Sequence, residues 1–221
     1  LKNYFFSKAA NRITEAQLHW NTIGAGLESI EDDENDRLLS YIRHLWITTK
    51  GPTKDRDLAA QIRQDISGET KTIQFLSSGS ASVQDYLAIF NSKHTKWSNY
   101  KASVKRNVET LSEHLQVEPL TPLMLAVAIR FDPEEAEKAF RLFVSWSVRF
   151  LIVGGGKGGL LEKEYSLRAQ EIGQKRISKA RDLRVAMSPF VSTDDQFTAA
   201  FETAPVSNDH LARSYSRVYQ N

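Results

Sequence analysis

No cysteine occurs among the 221 residues. That excludes disulfides, thiolate metal sites and a cysteine nucleophile, and it agrees with the cytoplasmic setting we expect. No apolar run approaches the roughly 18 residues that cross a bilayer, and the first residues carry no signal-peptide pattern, so no membrane partner is expected. No stretch alternates apolar and polar residues between hairpin signals, and no internal repeat is found. A strong charge of one sign is missing too. With 29 Lys and Arg against 27 Asp and Glu, the net charge is +2, too small for a dominant polyanion-binding role, although a local basic patch remains compatible with it.

What is present is helical patterning in a chain that is 41% hydrophobic, enough to bury a core. The expected fold is all-α: one helical domain over 1–221, a multi-helix bundle built on a long hairpin from about 132 to 184. Asp132 is placed to cap the first arm, Pro133 suits its first turn and Glu135 stands at the capping-box position. Ala136, Ala139, Phe140, Phe143, Val144, Phe150 and Leu151 mark its apolar face, with Ser147 filling the gap. The glycine run Gly154–Gly159 interrupts it. Leu161, Tyr165, Ala169 and Ile172 then share a face, and a bend is expected at Gly173.

Shorter helices surround this hairpin. Ile13 to Ile30 shows a three–four seam that Gly24 and Gly26 weaken, by about 1 kcal/mol each relative to alanine, so an early end is expected. The acids Glu31, Asp32, Asp33, Glu34 and Asp36 lack calcium-loop spacing and favour a helix N-terminus instead. The helix they open carries Leu38, Leu39, Ile42, Leu45 and Trp46. Ser77-Ser78-Gly79-Ser80 reads as a loop between two helical pieces. Trp97, Tyr100, Val104, Val108, Leu111 and Leu115 share one further stripe. Leu123–Ile129 has no polar residue, as a fully buried helix should. Thr193 with Gln196 can cap a helix holding Phe197, Ala200 and Phe201, and Ser207 a last one through Leu211, Tyr215 and Val218.

Few residues suggest chemistry. Gly154, Gly156 and Gly159 satisfy G-x-G-x-x-G around Lys157, a pattern that can cradle phosphates. No Ser or Thr follows Lys157 and no parallel sheet is in view, so a helix-to-helix hinge is the favoured reading and no cofactor is assigned. His19, His44, His94, His114 and His210 form no H-E-x-x-H pair, so no metal site is assigned. No catalytic residue is assigned. Lys175, Arg176, Lys179, Arg181 and Arg184 form a basic stripe that can neutralise phosphates, with Lys175 and Lys179 expected on one side of a continuous helix. Ordinary solvated cations would give the same pattern.

Several local patterns resemble a known family. Leu1-Lys2-Asn3-Tyr4-Phe5-Phe6-Ser7-Lys8-Ala9 resembles the segment after the N-terminal domain of GmrSD-type proteins. Tyr41-Ile42-Arg43-His44-Leu45-Trp46 resembles that family's Leu-Arg-His-Tyr-Trp-like helix. Arg149, the glycines, Leu161-Glu162, Tyr165 and Ala169 resemble its later region, and Leu211-Ala212-Arg213-Ser214-Tyr215 the helix before its C-terminal domain. The family comprises modification-dependent restriction and phage-defence nucleases. Its N-terminal ParB-like domain handles nucleotides through an Asp-Gly-Gln-Gln-Arg motif, and many members end in a His-Asn-His nuclease domain. Neither motif occurs here, so the resemblance implies the helical middle of such a protein, without catalytic residues. Its partners would be the N- and C-terminal domains of the same longer chain, and DNA. Two other readings stay open: a free-standing helical module that binds another protein, and a nucleotide-binding enzyme using the glycine loop.

Overall fold

The computed structural model describes residues 1–28, 30, 34–153 and 158–203. Among them the chain forms eleven α-helices and no strand: α1 (Lys2–Lys8), α2 (Ile13–Leu27), α3 (Glu34–Lys50), α4 (Asp55–Asp65), α5 (Glu69–Ala88), α6 (Ala102–Glu109), α7 (Thr121–Arg130), α8 (Pro133–Val153), α9 (Gly158–Gly173), α10 (Ala180–Met187) and α11 (Asp194–Thr203). The all-α bundle read from the sequence is therefore the fold. Glu31, Asp32, Asp33, the glycine loop at 154–157, His210 and the helix expected after Ser207 lie outside the described residues.

Burial divides the apolar side chains into two clusters. The larger is built around α7, where Leu123 through Ala128 are all buried as their unbroken apolar run requires. The smaller joins Phe5 and Ala9 with Trp20, Ile42, Trp46, Leu58 and Ile62. Helix α3 serves both: Tyr41, Leu45 and Ile47 enter the larger cluster, Ile42 and Trp46 the smaller. The two pairs 41/45 and 42/46 sit one residue apart, about 100° around the helix, so α3 is a wedge with two buried faces. Leu39, expected on the apolar side, stays 39% exposed.

The expected hairpin is not the organising unit. Helix α9 lays Leu161, Tyr165, Ala169 and Ile172 against α3 and α7, while α8 packs against α6, α10 and α11. The stacked rings of Trp146 and Tyr165, 6.4 Å apart, join the two arms. Helix α8 also buries Trp146 and Ile152, two positions the expected stripe left out. The second arm ends at Gly173, where the bend was expected, and the end is a complete break. The Arg176 N–H donates to Glu171 O (2.8 Å) and the Lys175 N–H to Ile172 O (2.9 Å). With Lys175 left-handed at φ 61°, this is a Schellman C-cap in which lysine occupies the position glycine usually takes.

Asp132 caps α8 as its sequence suggests, Oδ1 accepting from the N–H groups of Glu134 and Glu135. Glu135 does not close that box. Its Oε2 accepts from the Ala180 N–H at 2.7 Å and its Oε1 meets Lys138 at 2.8 Å, so this acid caps the start of α10, 45 residues away. Lys138 and the Ala180 amide hold its carboxyl below the ordinary range. Thr193 and Gln196 do form the reciprocal box expected at α11.

Two local expectations fail for one reason each. Ser77–Ser80 is not a loop: α5 runs through it, because α2 and α3 approach so closely there that only small residues fit. A side chain on Gly79 would meet Ile23 at 3.0 Å and Leu45 at 3.3 Å. Gly26 likewise lets α2 continue to Leu27 against Val83, so the two α2 glycines do not end the helix early. The stripe from Trp97 to Leu115 is three pieces, a 3-10 turn (Thr95–Asn99), α6 and a π-helical segment (Thr110–Leu115). His94 caps the first, its Nδ1 accepting from the Lys96 N–H, and the Trp97 indole donates to Ala88 O at 2.8 Å.

Candidate functional site

Helix α3 also walls a cleft of about 680 Å³, inside the range of small-molecule sites. Arg37, Ser40, His44 and Ile47 recur at three- and four-residue spacing, so one face of α3 looks into it. Tyr86, Leu87 and Phe90 come from the end of α5 and the turn after it. Thr121 and Pro122 come from the start of α7, Pro119 from the 3-10 turn just before it, and Glu162 and Ser166 from α9. Four elements distant in sequence thus meet at one opening.

His44 is the best-defined group in the wall. The Arg43 Nη2 lies 3.5 Å from its Nε2, and the Tyr86 hydroxyl 3.2 Å from its Nδ1. Arginine can only donate, so Nε2 accepts, and Nδ1 carries the proton toward Tyr86 Oη. Burial, with Arg43 beside it, pushes His44 down to about 3; the ring is neutral at any ordinary pH. The sign of the linkage follows. Between pH 6.5 and about 3 the unfolded chain binds a proton here that the folded chain refuses, so this contribution to stability is complete above 6.5. It is lost as the pH falls, at about 1.4 kcal/mol per unit. Urea unfolding at about pH 6 and pH 5, above the main carboxylate range, should show a drop roughly 1 kcal/mol larger for the native chain than for His44→Gln. Equal drops would mean that the folded chain protonates His44. Tyr41, below it, donates to Gly79 O, and burial raises its phenol well above the ordinary value.

The two arginines of the cleft differ. Arg43 is compensated, its Nε 2.8 Å from Asp55 Oδ1 and its Nη1 3.6 Å from Glu162 Oε1; it ties α3 to α4 and α9. Arg37 donates to the carbonyl of Ile30, and among the described residues its buried Nε has no partner. Ser166 and Thr121 are 3% and 7% exposed, and neither side-chain hydroxyl has a partner among the described residues. His94 is satisfied, with Nε2 at 3.1 Å from Gln84 Oε1.

The other positions singled out by sequence fall elsewhere. Lys175, Arg176, Lys179, Arg181 and Arg184 are all exposed, but they do not make a helical stripe. The first three lie in the turn after α9 and the last two on α10, because the Schellman cap ends α9 before them. They form a basic corner, and among the described residues none of the five has an ion-pair partner. Trp46 is buried, its indole donating to Gln61 Oε1 at 3.0 Å. Arg149 donates to Ser192 O, pairs with Asp194 and covers the Phe197 ring at 5.1 Å, fastening α11 to α8. His19 meets the Ser80 hydroxyl at 2.8 Å. His114 joins Glu109 and Glu113, their ligand atoms within 4.8 Å of one another. An α-helix would turn position i+5 away, whereas the i→i+5 repeat of the π segment returns it beside position i.

Sequence reasoning did not find the cleft. Its one signal was a polar file, Arg37, Ser40 and His44, on a helix otherwise chosen for burial. Compared with known protein families, curated proteins and solved structures, the chain matches none.

Proposed function

We propose that this chain is the helical scaffold of a GmrSD-like DNA restriction or anti-phage defence nuclease. In this reading it joins a nucleotide-handling domain to a nuclease domain of the same longer chain and contributes no catalytic residue of its own. The observation that carries the reading is the placement of the residues on which the resemblance rests. Tyr41, Ile42, Leu45 and Trp46 wedge α3 between the two hydrophobic clusters, Arg43 ties it to α4 and α9, and Arg149 fastens α11. Residues so used fix distances, which is what a connector between two active domains must do.

The reading extends to DNA through the basic corner. Five exposed cations without carboxylate partners among the described residues are suited to phosphate contact. Two measurements test it. The natural protein is expected to have an intact mass well above the 25.0 kDa of this chain and to cleave DNA in a nucleotide-dependent way. A natural product near that mass, or no cleavage, removes the nuclease reading and leaves a free-standing interaction module. Changing Lys175, Arg176 and Lys179 together to alanine should weaken DNA binding about tenfold or more at low salt, and reduce the salt slope by about 3. An unchanged affinity makes the corner a solvated surface only.

A further inference from the structure

We propose that the cleft beneath α3 binds a small aromatic anion: a flat ring bearing one phosphate or carboxylate group. The inference stands apart from the scaffold reading and rests on the cleft alone.

The charge preference comes from Arg37. A half-buried guanidinium that donates to one neutral carbonyl has no carboxylate partner among the described residues, an arrangement that an anion would complete. The acids nearby do not serve. Glu162 is directed to Arg43, and Glu118 stands exposed in the 3-10 turn Glu118–Leu120. Helix α7 begins at the cleft with Thr121 and Pro122, and Arg37 sits within the first turn or so of α3. Two helix N-termini therefore add partial positive charge to the same space. Thr121 and Ser166 line the cleft, and their hydroxyls, without partners among the described residues, supply neutral donors.

The ring preference comes from the opposite wall. Phe90 is 44% exposed although Ala88 and Ile89 just before it are buried. It stands edge-on to Tyr86, ring centroids 5.1 Å apart, which leaves its own face available for stacking. Pro119, Pro122 and Leu87 complete an apolar rim. His44 is held neutral, so it adds no competing charge.

The test is titration calorimetry on the intact chain with four probes: adenosine 5′-monophosphate, indole-3-acetate, adenosine and inorganic phosphate. Saturable binding of at least one of the two ring anions is expected, with the preferred one naming the headgroup. Adenosine and inorganic phosphate should each bind at least tenfold more weakly. Arg37→Ala should weaken the ring anion tenfold or more, Arg37→Lys less, and Phe90→Ala, at an exposed position, several-fold without loss of fold. Lys105→Ala, at an exposed position of α6 outside the cleft lining, should change nothing. No saturable ring anion, equal binding of adenosine, or undiminished binding by Arg37→Ala and Phe90→Ala would each overturn the proposal.

Discussion

Gly173→Ala is expected to destabilise the chain by more than about 3 kcal/mol, beyond the usual overpacking penalty. The reason is contact between backbones. A Cβ built on Gly173 would lie 1.8 Å from the carbonyl oxygen of Thr48 and 2.9 Å from its carbonyl carbon. Backbone atoms in the last turn of α3 cannot swing aside as a side chain can, so α3 and α9 would have to part. Yet α9 is held in register by Tyr165, Ala169 and Ile172, all buried, and the Gln174 side chain donates to Thr49 O at the same crossing. Other glycines provide the controls. At Gly26 the obstacle is the Val83 side chain, 2.8 Å away, which can change rotamer, so alanine there should cost less. At Gly24 nothing lies within 4 Å, and alanine should stabilise by up to about 1 kcal/mol. Urea midpoints should therefore rank Gly24→Ala above the native chain, then Gly26→Ala, then Gly173→Ala. A Gly173→Ala chain within about 1 kcal/mol of native would show that the crossing is looser than the coordinates place it.

Trp46→Ala is the second large effect, expected at about 3–5 kcal/mol. The indole is 1% exposed, stands edge-on to Phe75 at 5.8 Å and has the Lys50 ammonium over its ring. Truncation leaves a hole in the smaller cluster, among Ile42, Leu58, Ile62 and Phe75. The Gln61 carbonyl that accepts from the indole also accepts from Thr53 at 2.9 Å. Trp46→Phe would therefore not orphan Gln61, and should cost only about 1–2 kcal/mol. Similar losses for both variants would mean the hydrogen bond outweighs the packing. A small loss for Trp46→Ala would mean the smaller cluster contributes little to stability.

Legibility tracked the range of the cause. Local causes were readable: the Asp132 cap, the Thr193–Gln196 box, the apolar run of α7 and the shared face of Leu161, Tyr165, Ala169 and Ile172 all follow from neighbours a few residues apart. Distant causes were not. Gly79 reads as a loop until Ile23 and Leu45 are seen pressing on it, and Glu135 reads as half of a local box until Ala180 arrives. The C-cap at Lys175 hid because glycine, its usual marker, stood two residues earlier. The cleft was hidden most fully, since Arg37, Tyr86, Thr121 and Ser166 share no sequence spacing and meet only because α3, α5, α7 and α9 converge there.

The double allegiance of α3 has a consequence for how the molecule comes apart. A helix buried on two faces cannot be released by one cluster alone, so neither cluster can melt as an independent foldon while its wedge stays seated in the other. The amides of Tyr41 through Ile47 should be among the last to exchange with solvent deuterium, at the rate set by global unfolding. Whatever is attached at either end of this chain is thus coupled through a body that opens as a whole or not at all.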